Sequence, residues 1–380
     1  MHVGLNLIYL VPGETGGPEI YARELIPALR KVAPEVRLTS FVNREAAAVE
    51  APWNELTETV VLPIEATNRV NWVRGEQLML PRHAPRQGVD LVHSLANTGP
   101  TWGRFARVQT VLDLLYMMVP EAHFGLRGLG MRVLVPAAAR RSHRVITISQ
   151  STRRDLIDRL HVPGEKIDVV PVGLGTRFAG RPLAEHELRR RLGLGDRTVA
   201  LSVSTKRAHK NLMRLLEAHA LIPSGERPLL VLPGYPTPHE DELRRRAGAL
   251  GIEDDVLFLG WLPPEELEGL YAAAALFVFT SLYEGFGMTV LEAMARGVPV
   301  ACGAASAVPE VAGDAALLFD PESPEQIAEA MRSLLRDGAL RDRLAEAGRA
   351  RAEQFSWERT ARETVDSYRR ALSEARPGRD

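Results

Sequence analysis

Two carboxylates and a glycine-flexed turn stand together in the run Ser281-Leu282-Tyr283-Glu284-Gly285-Phe286-Gly287-Met288-Thr289-Val290-Leu291-Glu292-Ala293-Met294-Ala295. Carboxylates accept hydrogen bonds from neighbouring hydroxyls, which is what sugar rings offer. Gly285 and Gly287 let the main chain adopt conformations closed to other residues and admit a ligand close to it, while Met288 to Ala295 reads as a helix of good formers. The unpaired N–H groups at such a helix start suit an anion, and a diphosphate is a natural one. Glu284 in the turn and Glu292 inside the helix can reach one mouth, the first toward a sugar and the second toward a ribose diol. The segment therefore suits a sugar nucleotide. An ordinary loop before a core helix with a solvated glutamate is the alternative.

Glu284 and Glu292, with seven residues between them and set in Tyr-Glu-Gly-Phe-Gly, resemble the signature of retaining nucleotide-sugar glycosyltransferases, most closely glycosyltransferase family 4 of GT-B architecture. The likeness continues through Gly297-Val298-Pro299-Val300 and through Val308-Pro309-Glu310-Val311-Ala312-Gly313-Asp314-Ala315-Ala316-Leu317-Leu318-Phe319-Asp320-Pro321, and weaker matches cover most of the chain. The resemblance implies an α/β protein of two Rossmann-like doubly wound domains facing a central cleft. It implies transfer of a hexose-type sugar, with retention, from a nucleoside-diphosphate sugar to a hydroxyl of a glycan, lipid-linked or small-molecule acceptor. No metal and no cofactor are expected.

Three further constellations bear on that chemistry. Gly13-Glu14-Thr15-Gly16-Gly17-Pro18-Glu19 follows the first apolar run, and a glycine-rich turn between strand and helix lets backbone N–H groups approach a phosphate or sugar. Gly16 and Gly17 are the candidates; the spacing lacks the third glycine of a nicotinamide fingerprint. Ser204-Thr205-Lys206-Arg207-Ala208-His209-Lys210-Asn211 follows another apolar run. A departing diphosphate gathers charge as its bond breaks, so a fixed cation beside it stabilises the transition state more than the ground state. The family places a lysine at Lys210, commonly as Arg-Lys-Asn, so Lys210 is the expected cation. His209 stands in the arginine position and is a candidate phosphate contact, Ser204 is a candidate substrate-binding residue, and Lys206 and Arg207 read as a solvated basic loop. Gln109-Thr110-Val111-Leu112-Asp113-Leu114 resembles the family's Thr-x-His-Asp-Leu segment, with Leu112 in place of the histidine. Asp113 either holds a sugar hydroxyl, takes the acceptor proton, or merely caps a helix.

The resemblance thus assigns Asp113, Lys210 and Glu284 to catalysis. It assigns Gly16, Gly17, Ser204, His209, Lys210, Gly234, Glu284, Gly285, Phe286, Gly287, Met288 and Glu292 to donor binding, with the amides of Gly285 to Met288 on the sugar and phosphates. Gly234 and Gly260-Trp261 fall where the family builds its base pocket; turn glycines and a packing tryptophan are the alternative. Ser149-Gln150-Ser151-Thr152 is explained by helix capping alone. His93, His123, His143 and His161 do not form a metal-ligand spacing, and no Asp-x-Asp triplet occurs. A GT-B-shaped nucleotide-sugar epimerase and a non-catalytic sugar-nucleotide-binding subunit are the rival readings.

These residues need elements to position them. At 380 residues the chain exceeds one ordinary core. A hydrophobic share of 45% with 25% charged residues fits a soluble globular protein, and a net charge of −1 gives no global case for nucleic-acid binding. Cys302 is the single cysteine, so no intramolecular disulfide is possible. Met1 to Leu10 lacks a positive n-region and reads as a buried strand, and no apolar run spans a membrane. A cytoplasmic location is expected.

Short apolar runs alternate with helical patterns, as in parallel sheets covered by helices. Val3 to Leu10, Val36 to Val42, Thr59 to Leu62, Leu91 to His93, Arg107 to Leu112, Arg144 to Ile148 and Ile167 to Val170 read as strands of a first domain, residues 1–172. Val199 to Val203, Leu229 to Leu232, Val256 to Leu259, Leu276 to Phe279, Val298 to Ala301 and Ala316 to Phe319 read as six strands of a second, residues 173–380. The boundary falls near Pro171 to Gly180. A helix over about 356–375, with Ser356 as N-cap, crosses back to the first domain in the resembling family.

Ala122 to Arg154 carries no acidic side chain but holds Arg127, Arg132, Arg140, Arg141, Arg144, Arg153 and Arg154, interleaved with Leu126, Leu129, Met131, Val133, Leu134 and Val135. It reads either as a basic amphipathic surface for peripheral contact with anionic membrane or as a chance run in an arginine-rich chain.

Overall fold

The computed structural model describes residues 1–119, 126–175 and 181–375, with the side chains of all but 126–129. The expected boundary lies partly outside these, as do the side chains of Arg127, Leu126 and Leu129. The chain divides into two compact units, one of Met1–Gly175 with Phe355–Asp380, the other of Thr176–Gln354.

The first unit is built on seven parallel strands, β1 (His2–Leu7), β2 (Arg37–Val42), β3 (Glu58–Val61), β4 (Leu91–Ser94), β5 (Ala106–Val111), β6 (Arg144–Thr147) and β7 (Ile167–Val169). Their order is β3-β2-β1-β4-β5-β6-β7. β1 is buried along its whole length, which is why it reads as an apolar run rather than an alternation. It stops at Leu7, three residues short of the expected end, because Ile8 N–H turns back to the Asn6 side chain and Leu10 N–H to Leu7 O.

The second unit carries six parallel strands, β8 (Val199–Leu201), β9 (Leu229–Leu232), β10 (Val256–Phe258), β11 (Ala274–Phe279), β12 (Val300–Gly303) and β13 (Ala316–Phe319), ordered β10-β9-β8-β11-β12-β13. β12 begins at Val300 because Pro299 has no N–H to give the ladder, although its carbonyl accepts from Phe277. In each sheet the chain winds outward from its first strand and then returns to the other side. The switch points fall between β1 and β4 and between β8 and β11, where open sheets of this kind form ligand crevices beyond the strands' carboxyl ends.

The last described helix, Trp357–Ala375, belongs to the first unit and packs along the helix Gly17–Val32. Trp357, Ala361, Val365, Tyr368 and Ala371 are buried at three- and four-residue spacings, the stripe a docked helix requires. Tyr21 meets Trp357 edge-on at 5.7 Å, and Tyr368 Oη lies 2.7 Å from His93 Nδ1. Ser356 caps the helix by accepting Arg359 N–H at 3.3 Å.

Within the basic stretch, Arg144 is a buried residue paired with Asp168 and Glu374, and Val135 is fully inside the core. Neither lies on a membrane-facing surface. No described helix is long and apolar enough to cross a membrane.

Candidate active site

The switch point of the second sheet joins the loops that follow β8 and β11. Thr280 Oγ1 donates to Lys210 O at 3.0 Å, Ser281 Oγ donates to His209 O at 3.2 Å, and Leu282 N–H donates to the same carbonyl at 2.9 Å. Asn211 closes the first loop in a left-handed conformation, φ 59°, which asparagine tolerates better than most residues. Its Nδ2 reaches Pro321 O at 2.6 Å. Nothing in the spacing marked Asn211 as more than a neighbour of Lys210.

This zippering brings Lys210 Nζ to 2.5 Å from Glu284 Oε1, both side chains being about one-sixth exposed, 17% and 16%. The ammonium also stands 5.8 Å from the centre of the Phe279 ring, within reach of its negative face. Glu284 is fixed from behind, its N–H donating to Ser306 Oγ at 2.8 Å. His209 is 6% exposed, and burial together with the adjacent Lys210 lowers its pKa to about 4. The imidazole is therefore neutral near pH 7. Positive charge at this loop rests on Lys210 rather than on His209, which can offer phosphate one neutral hydrogen bond.

Gly287 sits at φ 109° immediately before the helix Met288–Ala295, a conformation that side-chain-bearing residues rarely adopt. Val290 and Leu291 N–H donate to Gly287 O at 3.0 and 3.3 Å, which leaves the N–H groups of Met288 and Thr289 outside the helix's own ladder. Phe286 is 5% exposed, so it offers a ligand its backbone rather than its ring, whereas Glu284, Gly285 and Met288 remain half-buried. Glu292 accepts a hydrogen bond from Tyr271 Oη at 3.3 Å. Tyr271 stacks on Phe277 and Phe277 on Phe279, at 6.0 and 6.2 Å between centroids. This column of rings links the neighbourhood of Glu292 to that of Lys210.

Lys206 is not a solvated basic residue. Its side chain is fully buried, with Nζ 2.7 Å from Gly234 O, 2.5 Å from Leu259 O and 3.6 Å from a Glu240 carboxylate oxygen, so one ammonium ties together the loops after β8, β9 and β10. Burial lowers its pKa. Gly234 is demanded by close approach: at φ 146° a Cβ there would stand 1.9 Å from Ser204 O. The hydroxyl of Ser204 is buried and has no hydrogen-bond partner among the described residues.

The other candidates lie in the first unit. Gly16 and Gly17 are exposed at the start of the helix Gly17–Val32, with Pro18 in its first turn. Glu19 braces that loop, accepting Gly13 N–H at 2.7 Å and Arg23 Nε at 2.9 Å. Asp113 follows β5, and one of its oxygens accepts Leu115 N–H at 3.0 Å, one residue ahead of the N-cap Leu114 of the short helix Leu115–Met118. Asn97 grips the same segment from the loop after β4, accepting Leu112 N–H at 2.9 Å and donating to Asp113 O at 3.0 Å. Among the described residues, no group of three or more His, Cys, Asp or Glu side chains is placed to hold a metal ion.

Two sheets with these crevices define a GT-B glycosyltransferase architecture, and the comparisons place the chain more narrowly. Residues 15–178 match the model described as Glycosyltransferase Family 4, and residues 185–351 match Glycosyl transferases group 1. The O-antigen chain mannosyltransferase B of Escherichia coli is 32% identical over 265 residues, 69% of this chain and 70% of that one. A D-inositol 3-phosphate glycosyltransferase of a Nocardioides species is 29% identical over 419 residues, covering 96% of this chain and 87% of its own. The sucrose-phosphate synthase structure from Thermosynechococcus elongatus superposes with a TM-score of 0.76 at 23% identity, over 98% of this chain and 99% of that one. The chain belongs to glycosyltransferase family 4.

Proposed function

We propose that this glycosyltransferase moves a hexose from a nucleoside-diphosphate sugar to a hydroxyl of a glycan, lipid-linked or small-molecule acceptor, with retention and without a metal ion. The observation that carries the reading is the Lys210–Glu284 pair at the switch point, beside a helix whose first N–H groups lack internal partners. In this reading Lys210 and the amides of Gly285 to Met288 hold the diphosphate, His209 and Ser204 add neutral hydrogen bonds, and Gly16 and Gly17 contribute backbone contacts. Glu284 accepts from sugar hydroxyls and Glu292 from the ribose. Gly234 shapes the base side of the site rather than touching the base.

Retention follows from front-face attack. The bond from the anomeric carbon to the phosphate oxygen breaks, the acceptor oxygen bonds to the same face, and the acceptor proton passes to the departing phosphate. Lys210 stabilises the charge that grows there. Asp113 orients the acceptor hydroxyl. The relatives named above, a mannosyltransferase and an inositol-phosphate glycosyltransferase, favour a hexose and a polar acceptor.

A thermal-shift screen with nucleoside diphosphates and their sugars tests the reading, since a ligand of the native state raises the melting temperature. One base is expected to stand out, and its sugar nucleotide to support transfer. Release of an altered free sugar without acceptor would favour the epimerase, and binding with no turnover the non-catalytic subunit.

A further inference from the structure

The helical stretch Arg69–His83 contains one wide turn, a π-helical segment Gly75–Met79, in which Leu80 N–H reaches back to Gly75 O. Two residues account for it. Pro81 has no N–H, so the regular ladder cannot run through it. Gly75 lets the turn lie close to its neighbours, since a Cβ there would stand 2.3 Å from Ile64 Cδ1. Wide turns of this kind recur at functional sites. Here the turn aims two consecutive side chains at one loop, the loop after β4.

Glu76 is fully buried, and its Oε1 accepts from Asn6 Nδ2 of β1 at 3.0 Å and from Thr98 Oγ1 at 3.1 Å. Gln77 donates to Gly99 O at 2.8 Å and accepts from the Thr101 N–H and hydroxyl at 3.1 and 3.0 Å. The Gln77 carbonyl, which Pro81 cannot serve, accepts from Trp102 Nε1 at 2.7 Å. The adjacent Asn97 grips Leu112 and Asp113. We propose that the buried Glu76 and the half-buried Gln77 form a clamp that shapes the 97–102 loop and, through Asn97, holds the backbone of Asp113, making Glu76 a positioning residue for the acceptor step.

The catalytic half of this proposal rests on the role given to Asp113; the clamp itself does not. Burial raises the Glu76 pKa to about 7, and the groups bonded to it, Asn6, Thr98 and Gln77, are uncharged. Tyr9 is a titratable side chain that feels the Glu76 charge, and burial keeps that phenol above its ordinary range and hence neutral. Below about pH 7 the neutral acid is the favoured form, and a neutral carboxyl needs no counter-cation in this place.

Amide hydrogen exchange on the full chain tests the clamp without a substrate. In Glu76→Ala and Gln77→Ala, peptides spanning 97–102 and 109–114 should exchange about tenfold faster or more, while 204–211 is unchanged. Glu76→Gln, which keeps the acceptor oxygen, should restore protection; Glu76→Met, which fills the space without accepting, should not. Parental protection in folded Gln77→Ala, or equal rescue by Gln and Met, would overturn the clamp. If Glu76→Ala fails to fold, Gln77→Ala and the Gln and Met pair still decide. With the donor chosen by the nucleotide screen, Glu76→Met should lower acceptor kcat/KM about tenfold, with nucleoside-diphosphate Kd unchanged. Parental transfer by Asp113→Asn would overturn the catalytic half and leave the exchange result standing.

Discussion

Lys210 Nζ and Glu284 Oε1 meet at 2.5 Å although 74 residues separate them in the chain. The pairing makes the two groups interdependent. In the proposed reaction a diphosphate draws the ammonium toward itself, and the carboxylate so released is free to accept from a sugar hydroxyl. One ligand thereby uses both halves of the pair.

Lys210→Ala should lower turnover on the order of 100-fold or more, the scale of losing one preorganised electrostatic donor, with a smaller effect on donor binding. Lys210→Arg should recover only part of the rate, because a planar guanidinium cannot occupy the point of a compact ammonium. Steady-state transfer with circular dichroism as the folding control checks this. Near-parental turnover in folded Lys210→Ala would remove the lysine from the mechanism.

Glu292→Ala should weaken nucleoside-diphosphate binding, whereas Glu284→Ala should harm turnover more than that binding. Isothermal calorimetry separates the two. Glu292→Ala also leaves the buried Tyr271 hydroxyl without its acceptor, at a cost of roughly 1–3 kcal/mol, so melting curves must accompany the titration. Parental affinity in Glu292→Ala would refute the ribose assignment.

Transfer should persist in EDTA, since Lys210 and the helix-start amides supply the charge stabilisation a metal provides elsewhere. Loss of activity with rescue by magnesium or manganese is the contrary outcome.

Glu76 gives stability a defined pH dependence. Its folded pKa, about 7, lies above its ordinary value of 4.5, so the folded state favours the neutral acid. The stabilising contribution is full below about 4.5 and is lost as pH rises through about 7, on the order of 3 kcal/mol in all. Urea midpoints of the first unit should therefore fall between pH 5 and 8 in the parent, and Glu76→Gln should flatten that slope. An identical slope in both proteins would contradict the assignment.

Gly234→Ala forces a Cβ against Ser204 O and a strained φ, which should cost on the order of 3 kcal/mol. The melting transition of the second unit should drop and nucleotide-induced stabilisation shrink. An unchanged transition would show that the two loops can part without loss.

The strands were legible because parallel strands covered on both faces must be apolar runs, and each of the thirteen expected runs overlaps one, with ends displaced by up to three residues. The helix after Gly287 was legible from its formers alone. The Lys210–Glu284 contact was not, since it depends on β8 lying beside β11, a non-local pairing that no spacing records. Lys206 looked solvated because its partners are carbonyls 28 and 53 residues away. The neutral state of His209, in the arginine position, was hidden because burial leaves no trace in residue type. Glu76 was invisible for a different reason: a single wide turn, signalled only by Gly75 and Pro81, redirects it.

The helix Trp357–Ala375 completes a unit whose strands all precede Gly175. During synthesis, residues 1–175 must wait for about 200 more to be added, roughly 10–40 s at ordinary elongation rates. Through that interval Tyr21, His93 and Arg144 lack Trp357, Tyr368 and Glu374, while the continuous stretch Thr176–Gln354 can close its own core. The first unit's last packing element thus leaves the ribosome only after the whole stretch of the second unit has been made.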